Sequence, residues 1–179
     1  IQKQPLQVGV VGTGFVAKLR ADAFASDPRS QVFAVTGHNL PKAEKFAQEQ
    51  GIPTVLETEQ ALTQHPDIDL VVVCSVNCDH AAAVRLALEA GKSVVVEYPL
   101  SLSAQDATDL IQLAQRQQVL LHVEHIEPLG GLHQAMMEHL PKLGTPRYAR
   151  YCTAVPQSPA PRSFMPKGSR PGDHNAGWR

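Results

Sequence analysis

The chain has 179 residues, of which 43% are hydrophobic and 18% are charged, as in globular domains that bury a core. Its formal net charge of −1 gives no general attraction to nucleic acid or to an anionic membrane surface, so neither is expected as a partner. No stretch approaches the roughly 18–20 consecutive apolar residues that would cross a bilayer.

Apolar runs typical of β-strands alternate with helical patterns from the start of the chain. The predicted strands cover residues 6–12, 31–37, 69–76, 92–98 and 119–125. The predicted helices cover residues 15–25, 41–51, 79–91 and 103–117, and a capping box of Ser103 and Asp106 is expected to begin the last one. The strands are apolar throughout, so helices should cover both faces of the sheet. The pattern predicts an α/β fold, a doubly wound parallel sheet of Rossmann type, over residues 1–123.

The rhythm changes in the last third of the sequence. Residues 124–155 are predicted to begin a second, α+β domain, with a helix over 129–140 and a strand over 146–155, and this domain is expected to be incomplete. Residues 156–179 lack apolar periodicity and are predicted to be disordered. Cys74, Cys78 and Cys152 fit neither a disulfide framework nor a zinc site, so we expect reduced thiols in the cytoplasm and no metal.

A glycine-rich loop follows the first predicted strand, with the spacing Gly12-x-Gly14-x-x-Ala17. Gly12 permits a tight turn, Gly14 lets the backbone approach a pyrophosphate, and Ala17 allows close packing of helix on strand. The N-terminus of the following helix offers free N–H groups and a positive dipole end to the phosphates. The loop therefore predicts a dinucleotide site, whose first contacts come from Gly12, Thr13, Gly14, Phe15 and Val16.

The residues after the second predicted strand bear on the choice of dinucleotide. NAD-preferring sites usually place Asp or Glu there, and no acid occupies residues 36–42. His38, Asn39 and Lys42 are available instead to contact a 2′-phosphate. This pattern favours NADPH as the coenzyme, although NADH remains an alternative. His38 and Lys42 could equally be ordinary solvated residues at the start of a helix.

Three segments together resemble one enzyme family: the loop "VGVVGTGFVA", the turn "CSVNCDH", and "ALEAGKSVVVEYPLSLS". They are similar to the Gfo/Idh/MocA oxidoreductases, which typically carry Asn and His after the fourth strand and then "EKP". This chain has Tyr98 where most members have Lys. With "LLHVEHIEPLGGLHQA" and "LGTPRYARY", that tyrosine resembles the biliverdin reductase branch of the family, over residues 7–164.

The resemblance implies hydride transfer from NADPH to the central methine carbon of a linear tetrapyrrole. A phenol is a poorer base than an amine, but it donates hydrogen bonds and offers a flat packing surface. The resemblance implies that Tyr98, Glu124 and Glu127 lie at the nicotinamide and the substrate, while His125 is either there or structural. It implies further cofactor contacts from Ser75, Asn77, His80 and Glu97, although Asn77 and His80 also suit a turn and a helix start, and Glu97 a solvated edge.

Two alternatives to this function stay open. The chain could be a catalytically inactive module that binds a dinucleotide, or a sugar- or polyol-type dehydrogenase of the same family. The replacement of the family's lysine by Tyr98 weighs against the second alternative. The sequence gives no prediction of the oligomeric state.

Overall fold

The structure is a computed structural model that describes residues 5–145, 147, 148 and 150, with the backbone alone for Glu127. The strands in this part of the chain are β1 (Leu6–Val11), β2 (Ser30–Thr36), β3 (Thr54–Val55), β4 (Leu70–Val73), β5 (Ser93–Glu97) and β6 (Leu121–Glu124). The helices are α1 (Phe15–Ser26), α2 (Leu40–Gln50), α3 (Glu59–Thr63), α4 (His80–Glu89), α5 (Ala104–Gln117) and α6 (Gly131–His139). Short 3-10 turns occupy Asn77–Asp79, Glu127–Leu129 and Leu140–Leu143.

The six strands form one parallel sheet in the order β3-β2-β1-β4-β5-β6. The order reverses between β1 and β4, so a crevice opens at the carboxyl ends of these two strands. Doubly wound proteins bind their ligands at this point. The predicted doubly wound parallel sheet is confirmed.

Side-chain alternation along the central strands builds two cores, one on each face of the sheet. On β4, Leu70 and Val72 point toward the face covered by α1 and α2, while Val71 and Val73 point toward α4 and α5. All four are buried, which explains why the strand is apolar throughout. The expectation that helices cover both faces is confirmed.

Some element boundaries differ from the predictions, and hydrogen bonds to backbone groups explain two of the differences. β4 ends at Val73 rather than at residue 76, since the carbonyl oxygen of Ser75 lies 3.1 Å from Nε2 of His80. β6 begins at Leu121 rather than at residue 119, because the Val119 N–H still donates to Ala114 at the end of α5. β3 and α3 were not predicted, since elements of two and five residues are too short to show a period.

The start of α5 shows half of the predicted capping box. The Ser103 hydroxyl accepts the Asp106 N–H at 3.2 Å, as expected. The N–H of Ser103 donates to the hydroxyl of Ser101 at 3.0 Å, which takes the place that the side chain of residue 106 would fill in a full box. At the end of α2, Gly51 is the C-cap residue, in the left-handed conformation at φ 66°.

The chain divides into two compact units, one ending at Ala135 and the other starting at Met136. The first contains the sheet. The predicted strand over 146–155 and the predicted disorder over 156–179 fall outside the described residues, apart from isolated positions without regular structure. Among the described helices, none has the length and apolarity needed to cross a membrane.

Candidate nucleotide-binding and active site

The glycine loop joins β1 to α1 at the crevice, and its two glycines serve different purposes. Gly12 has φ 116°, and a Cβ there would lie 2.5 Å from the carbonyl oxygen of Cys74. Its N–H donates to Thr36 at 2.9 Å, so the residue is wedged between the ends of β2 and β4. Gly12 is therefore required by the fold itself, through its conformation and its close approach to the neighbouring strand.

Gly14 is not crowded by the protein. It is the N-cap residue of α1 at φ −85°, and a Cβ on it would meet no atom of the described residues within 4 Å. Within that part of the chain, no side chain caps this helix start, and its first turn carries no acid. The amide groups of the first turn therefore face open space with a positive dipole behind them, which suits a pyrophosphate. Behind the loop, Ala17 is fully buried against the sheet, as predicted.

The end of β4 forms the opposite side of the crevice. The hydroxyl oxygen of Ser75 is buried and has no hydrogen-bond partner among the described residues. Buried hydroxyls are nearly always paired, so an orphaned one at a ligand crevice indicates a missing partner. Asn77 follows in the exposed 3-10 turn. A bound dinucleotide fits this arrangement, because it can supply both the phosphate for the helix start and a polar partner for the serine.

His80 lies beneath these loops rather than in the crevice, with 1% of its surface exposed. Its Nε2 is 3.1 Å from the carbonyl oxygen of Ser75, and its Nδ1 is 2.8 Å from that of Pro99. The ring thus joins the loop after β4 to the turn after β5. His80 therefore fixes the positions of both loops relative to each other.

Tyr98 follows β5 and stands with 46% of its surface exposed. Its ring is stacked on that of His125, with centroids 5.8 Å apart and planes inclined by 16°. The peptide bond between Tyr98 and Pro99 is cis. The two rings form a stacked aromatic pair at the carboxyl edge of the sheet, with a centroid separation in the usual range for offset stacking.

An arginine from α1 holds the two carboxylates that end β5 and β6. Nε of Arg20 donates to Glu97 at 2.6 Å, and its Nη2 lies 3.7 Å from Glu124. Glu97 and Glu124 are register partners, and Glu124 also meets Nε2 of His122 at 3.2 Å. Burial lowers the pKa of Arg20, but the hydrogen bond and charge of Glu97, together with the charges of Glu124 and Cys74, raise it overall. Both carboxylates therefore sit beneath the edge, where Arg20 contacts the two of them and offsets one of their two negative charges.

Cys74 lies next to this ion pair at the end of β4. Burial raises the pKa of its thiol to about 12, the Glu97 carboxylate adds to the rise, and Arg20 opposes it. The cysteine packs in the core under α1 and is a structural residue.

The side chain of Glu127 is not among those that the structure describes, so its predicted role stays a prediction.

The residues predicted to hold a 2′-phosphate lie together after β2, but two of them already have partners. The side-chain oxygen of Asn39 accepts the Lys42 N–H at 2.9 Å and caps α2. Nε2 of His38 lies 3.0 Å from a carboxylate oxygen of Asp79, in the 3-10 turn after β4. The Lys42 side chain is exposed.

A cleft of about 1280 Å³ opens elsewhere, at the amino ends of the strands, where Gln7, Ser30 and Ser93 line it. It lies on the edge opposite to the glycine loop, so it is separate from the candidate site despite its size. Among the described residues, no group of three or more His, Cys, Asp or Glu side chains is placed to hold a metal ion.

Sequence reasoning missed two residues of this site, Arg20 and Asp79. Arg20 had a usable signal, because it lies between the buried Ala17 and Ala21 on the face of α1 that meets the sheet. Asp79 had none: it is 41 residues from His38, and only the order of the strands brings them together.

Comparisons with known proteins agree with this geometry. Residues 6–125 match the Gfo/Idh/MocA profile, described as an oxidoreductase family with an NAD-binding Rossmann fold. The solved structure of biliverdin reductase from Synechocystis sp. PCC 6803, in complex with biliverdin and NADP+, superposes with a TM-score of 0.75 at 45% identity, covering 79% of this chain and 45% of that one.

Two curated relatives are similar over a comparable region. A dTDP-3,4-didehydro-2,6-dideoxy-alpha-D-glucose 3-reductase of Saccharopolyspora spinosa is 33% identical over 139 residues, or 77% of this chain and 42% of the relative. A trans-1,2-dihydrobenzene-1,2-diol dehydrogenase of Mus musculus is 32% identical over 118 residues, or 65% of this chain and 35% of the relative. The chain thus spans less than half the length of each of these three proteins.

Proposed function

The chain belongs to the Gfo/Idh/MocA oxidoreductases, and on that premise we propose that it is an NADPH-dependent reductase of a linear tetrapyrrole, converting biliverdin to bilirubin. The observation that carries the proposal is the 45% identity with the Synechocystis enzyme across 79% of the chain, against 32% and 33% for the two curated relatives. The tyrosine at position 98 and its stacked partner agree with that choice.

The coenzyme is held at the carboxyl edge of β1 and β4. The open space beside Gly14 and the uncapped first turn of α1 receive the pyrophosphate, and the Ser75 hydroxyl gains its missing partner. Thr13, Phe15 and Val16 complete the loop, and Asn77 and Lys42 stand exposed at its rim. When bound, NADPH supplies the hydride.

The substrate surface is the pair of rings formed by Tyr98 and His125. A conjugated tetrapyrrole is flat, and an offset-stacked pair of rings presents a flat, polarisable face that a sugar does not require. No described residue hydrogen-bonds the Tyr98 hydroxyl, so it can donate a hydrogen bond into the site. Its role is to position the substrate, because a correctly oriented substrate lowers the barrier to hydride transfer.

Beneath this surface, Arg20 offsets one of the two negative charges of Glu97 and Glu124. The remaining negative charge repels the propionate groups of a tetrapyrrole less than two uncompensated carboxylates would. Glu124 and Glu127 are retained as proposed site residues. The free, buried thiol of Cys74 fits a reducing, cytoplasmic compartment.

The test is whether the purified chain oxidises NADPH in the presence of biliverdin. The reaction is monitored through the absorbance of both compounds. Tyr98→Phe keeps the ring and removes the hydroxyl, while Tyr98→Leu removes both. We expect biliverdin affinity to fall moderately in the first variant and severely in the second. Unchanged KM and kcat in both variants would remove Tyr98 from the site.

The match to a sugar-nucleotide reductase over 77% of the chain favours a second candidate, a reductase of oxidised sugars. NADPH oxidation with a keto-sugar but not with biliverdin would support it. NADPH binding with neither substrate consumed would indicate a binding module without turnover.

A further inference from the structure

Three ionisable side chains from separate parts of the chain converge beyond the end of β2. His38 comes from the loop after β2, Glu59 from the first position of α3, and Asp79 from the turn after β4. His38 and Asp79 are 3.0 Å apart between Nε2 and the carboxylate oxygen, with 69% and 35% of their side chains exposed. The group therefore reaches solvent at the carboxyl edge of the sheet.

Glu59 is close enough to sense both partners. Burial raises its pKa, the charge of His38 opposes that rise, and the charge of Asp79 adds to it. The half-buried Glu59 and Asp79 thus place two carboxylates around one imidazole. The acid that is absent from residues 36–42 of the sequence is present in space, supplied by other elements.

In doubly wound dinucleotide sites, the end of the second strand meets the adenosine ribose. A carboxylate there accepts hydrogen bonds from ribose hydroxyls and repels a 2′-phosphate. Asp79 acts against the phosphate in a second way, because it occupies Nε2 of His38, the ring nitrogen that would otherwise contact the phosphate.

From this arrangement, and resting on the proposed dinucleotide site, we infer that Asp79 is a coenzyme-selecting residue. Its carboxylate weakens binding of NADPH relative to NADH by holding His38 and by adding negative charge beside the 2′-position. The chain is therefore less selective for NADPH than the sequence after β2 suggests. The residue that adjusts this selectivity lies in the turn after β4.

The experiment measures the dissociation constants of NADPH and NADH for wild type and for Asp79→Asn, using the fluorescence of the reduced coenzymes. Asparagine keeps the size of the side chain and removes its charge. We define the NADPH preference as the dissociation constant of NADH divided by that of NADPH. We expect this ratio to rise about tenfold in Asp79→Asn, which corresponds to about 1.4 kcal/mol of binding free energy. A ratio that stays within twofold of wild type, or moves toward NADH, overturns the inference.

Further variants sharpen the result. Because Asp79 already holds His38 in wild type, His38→Gln alone should change the ratio little, whereas adding His38→Gln to Asp79→Asn should cancel most of the gain in NADPH preference. If Asp79→Asn does not fold, Asp79→Ser, which also removes the charge, takes its place, and an unchanged ratio in that variant overturns the inference. Asp67→Asn, an equal change of charge before the amino end of β4, is the matched control and should leave the ratio unchanged.

Failure of the inference and failure of the proposed function give different results. If wild type binds neither coenzyme, the proposed dinucleotide site is wrong. If wild type binds both and the variants leave the ratio unchanged, the site stands and the role of Asp79 is wrong. Competition by 2′-AMP, compared with 5′-AMP, should strengthen in Asp79→Asn if the 2′-phosphate is the group sensed, and equal strengthening of both would overturn that assignment.

Discussion

Replacing Arg20 by methionine should destabilise the chain by about 2–3 kcal/mol. The variant removes the cation from between Glu97 and Glu124, which then face each other in register without compensation. Breaking a buried ion pair costs roughly 3–5 kcal/mol, and an exposed pair contributes about 0–1 kcal/mol. The three side chains are 23%, 15% and 18% exposed, which places the cost nearer the buried limit but below it.

Urea unfolding followed by circular dichroism measures this cost. Lys18→Met is the matched control on the same helix, since its pair with Asp22 is 52% and 55% exposed and should contribute less than about 0.5 kcal/mol. Adding Glu97→Gln to Arg20→Met should recover part of the loss, because one of the uncompensated charges disappears. A loss in Arg20→Met no larger than in Lys18→Met would refute the reasoning.

Three further predictions concern the glycine loop, the cysteines and Glu59. Gly12→Ala should lower the free energy of unfolding by more than about 2 kcal/mol, given its φ of 116° and the 2.5 Å approach to a carbonyl oxygen, whereas Gly14→Ala should fold normally and lose coenzyme affinity. At pH 8, a pKa of about 12 leaves Cys74 essentially without thiolate, so peptide mapping after alkylation should find the exposed Cys78 modified before Cys74. Burial raises the pKa of Glu59, so the folded chain binds that proton more tightly than the unfolded chain, and stability is lost as pH rises through the raised value. Glu59→Gln should therefore be more stable than wild type at pH 7 in thermal melts, with an advantage that vanishes near pH 3.

Each of these has an outcome that would contradict it. Normal stability in Gly12→Ala would mean that the close approach to β4 is relieved at little cost. Unchanged coenzyme affinity in Gly14→Ala would show that the open space beside α1 is not the phosphate site. Equal alkylation of Cys74 and Cys78 would deny the burial of the first, and a pH-independent effect of Glu59→Gln would deny that its carboxyl senses burial.

Local sequence patterns were sufficient to predict the fold and the glycine loop. An apolar strand, two glycines and an alanine at fixed spacing define the β1–α1 turn through backbone conformation and close packing, and both are properties of neighbours in the chain. The position of Tyr98 at the end of a strand was also predicted from the apolar run that precedes it. The short elements between residues 54 and 63 were missed because they contain too few residues to show a period.

What the tertiary structure alone decided is how charged groups pair across the carboxyl edge of the sheet. The sequence shows no acid after β2, yet strand order brings Asp79 to His38 from 41 residues away. It likewise shows Glu97 as a residue at a strand edge, and the packing of α1 supplies Arg20 to it. The reason is physical: backbone geometry depends on adjacent residues, whereas the energy of a charge depends on every group within a few ångströms, whatever its distance along the chain.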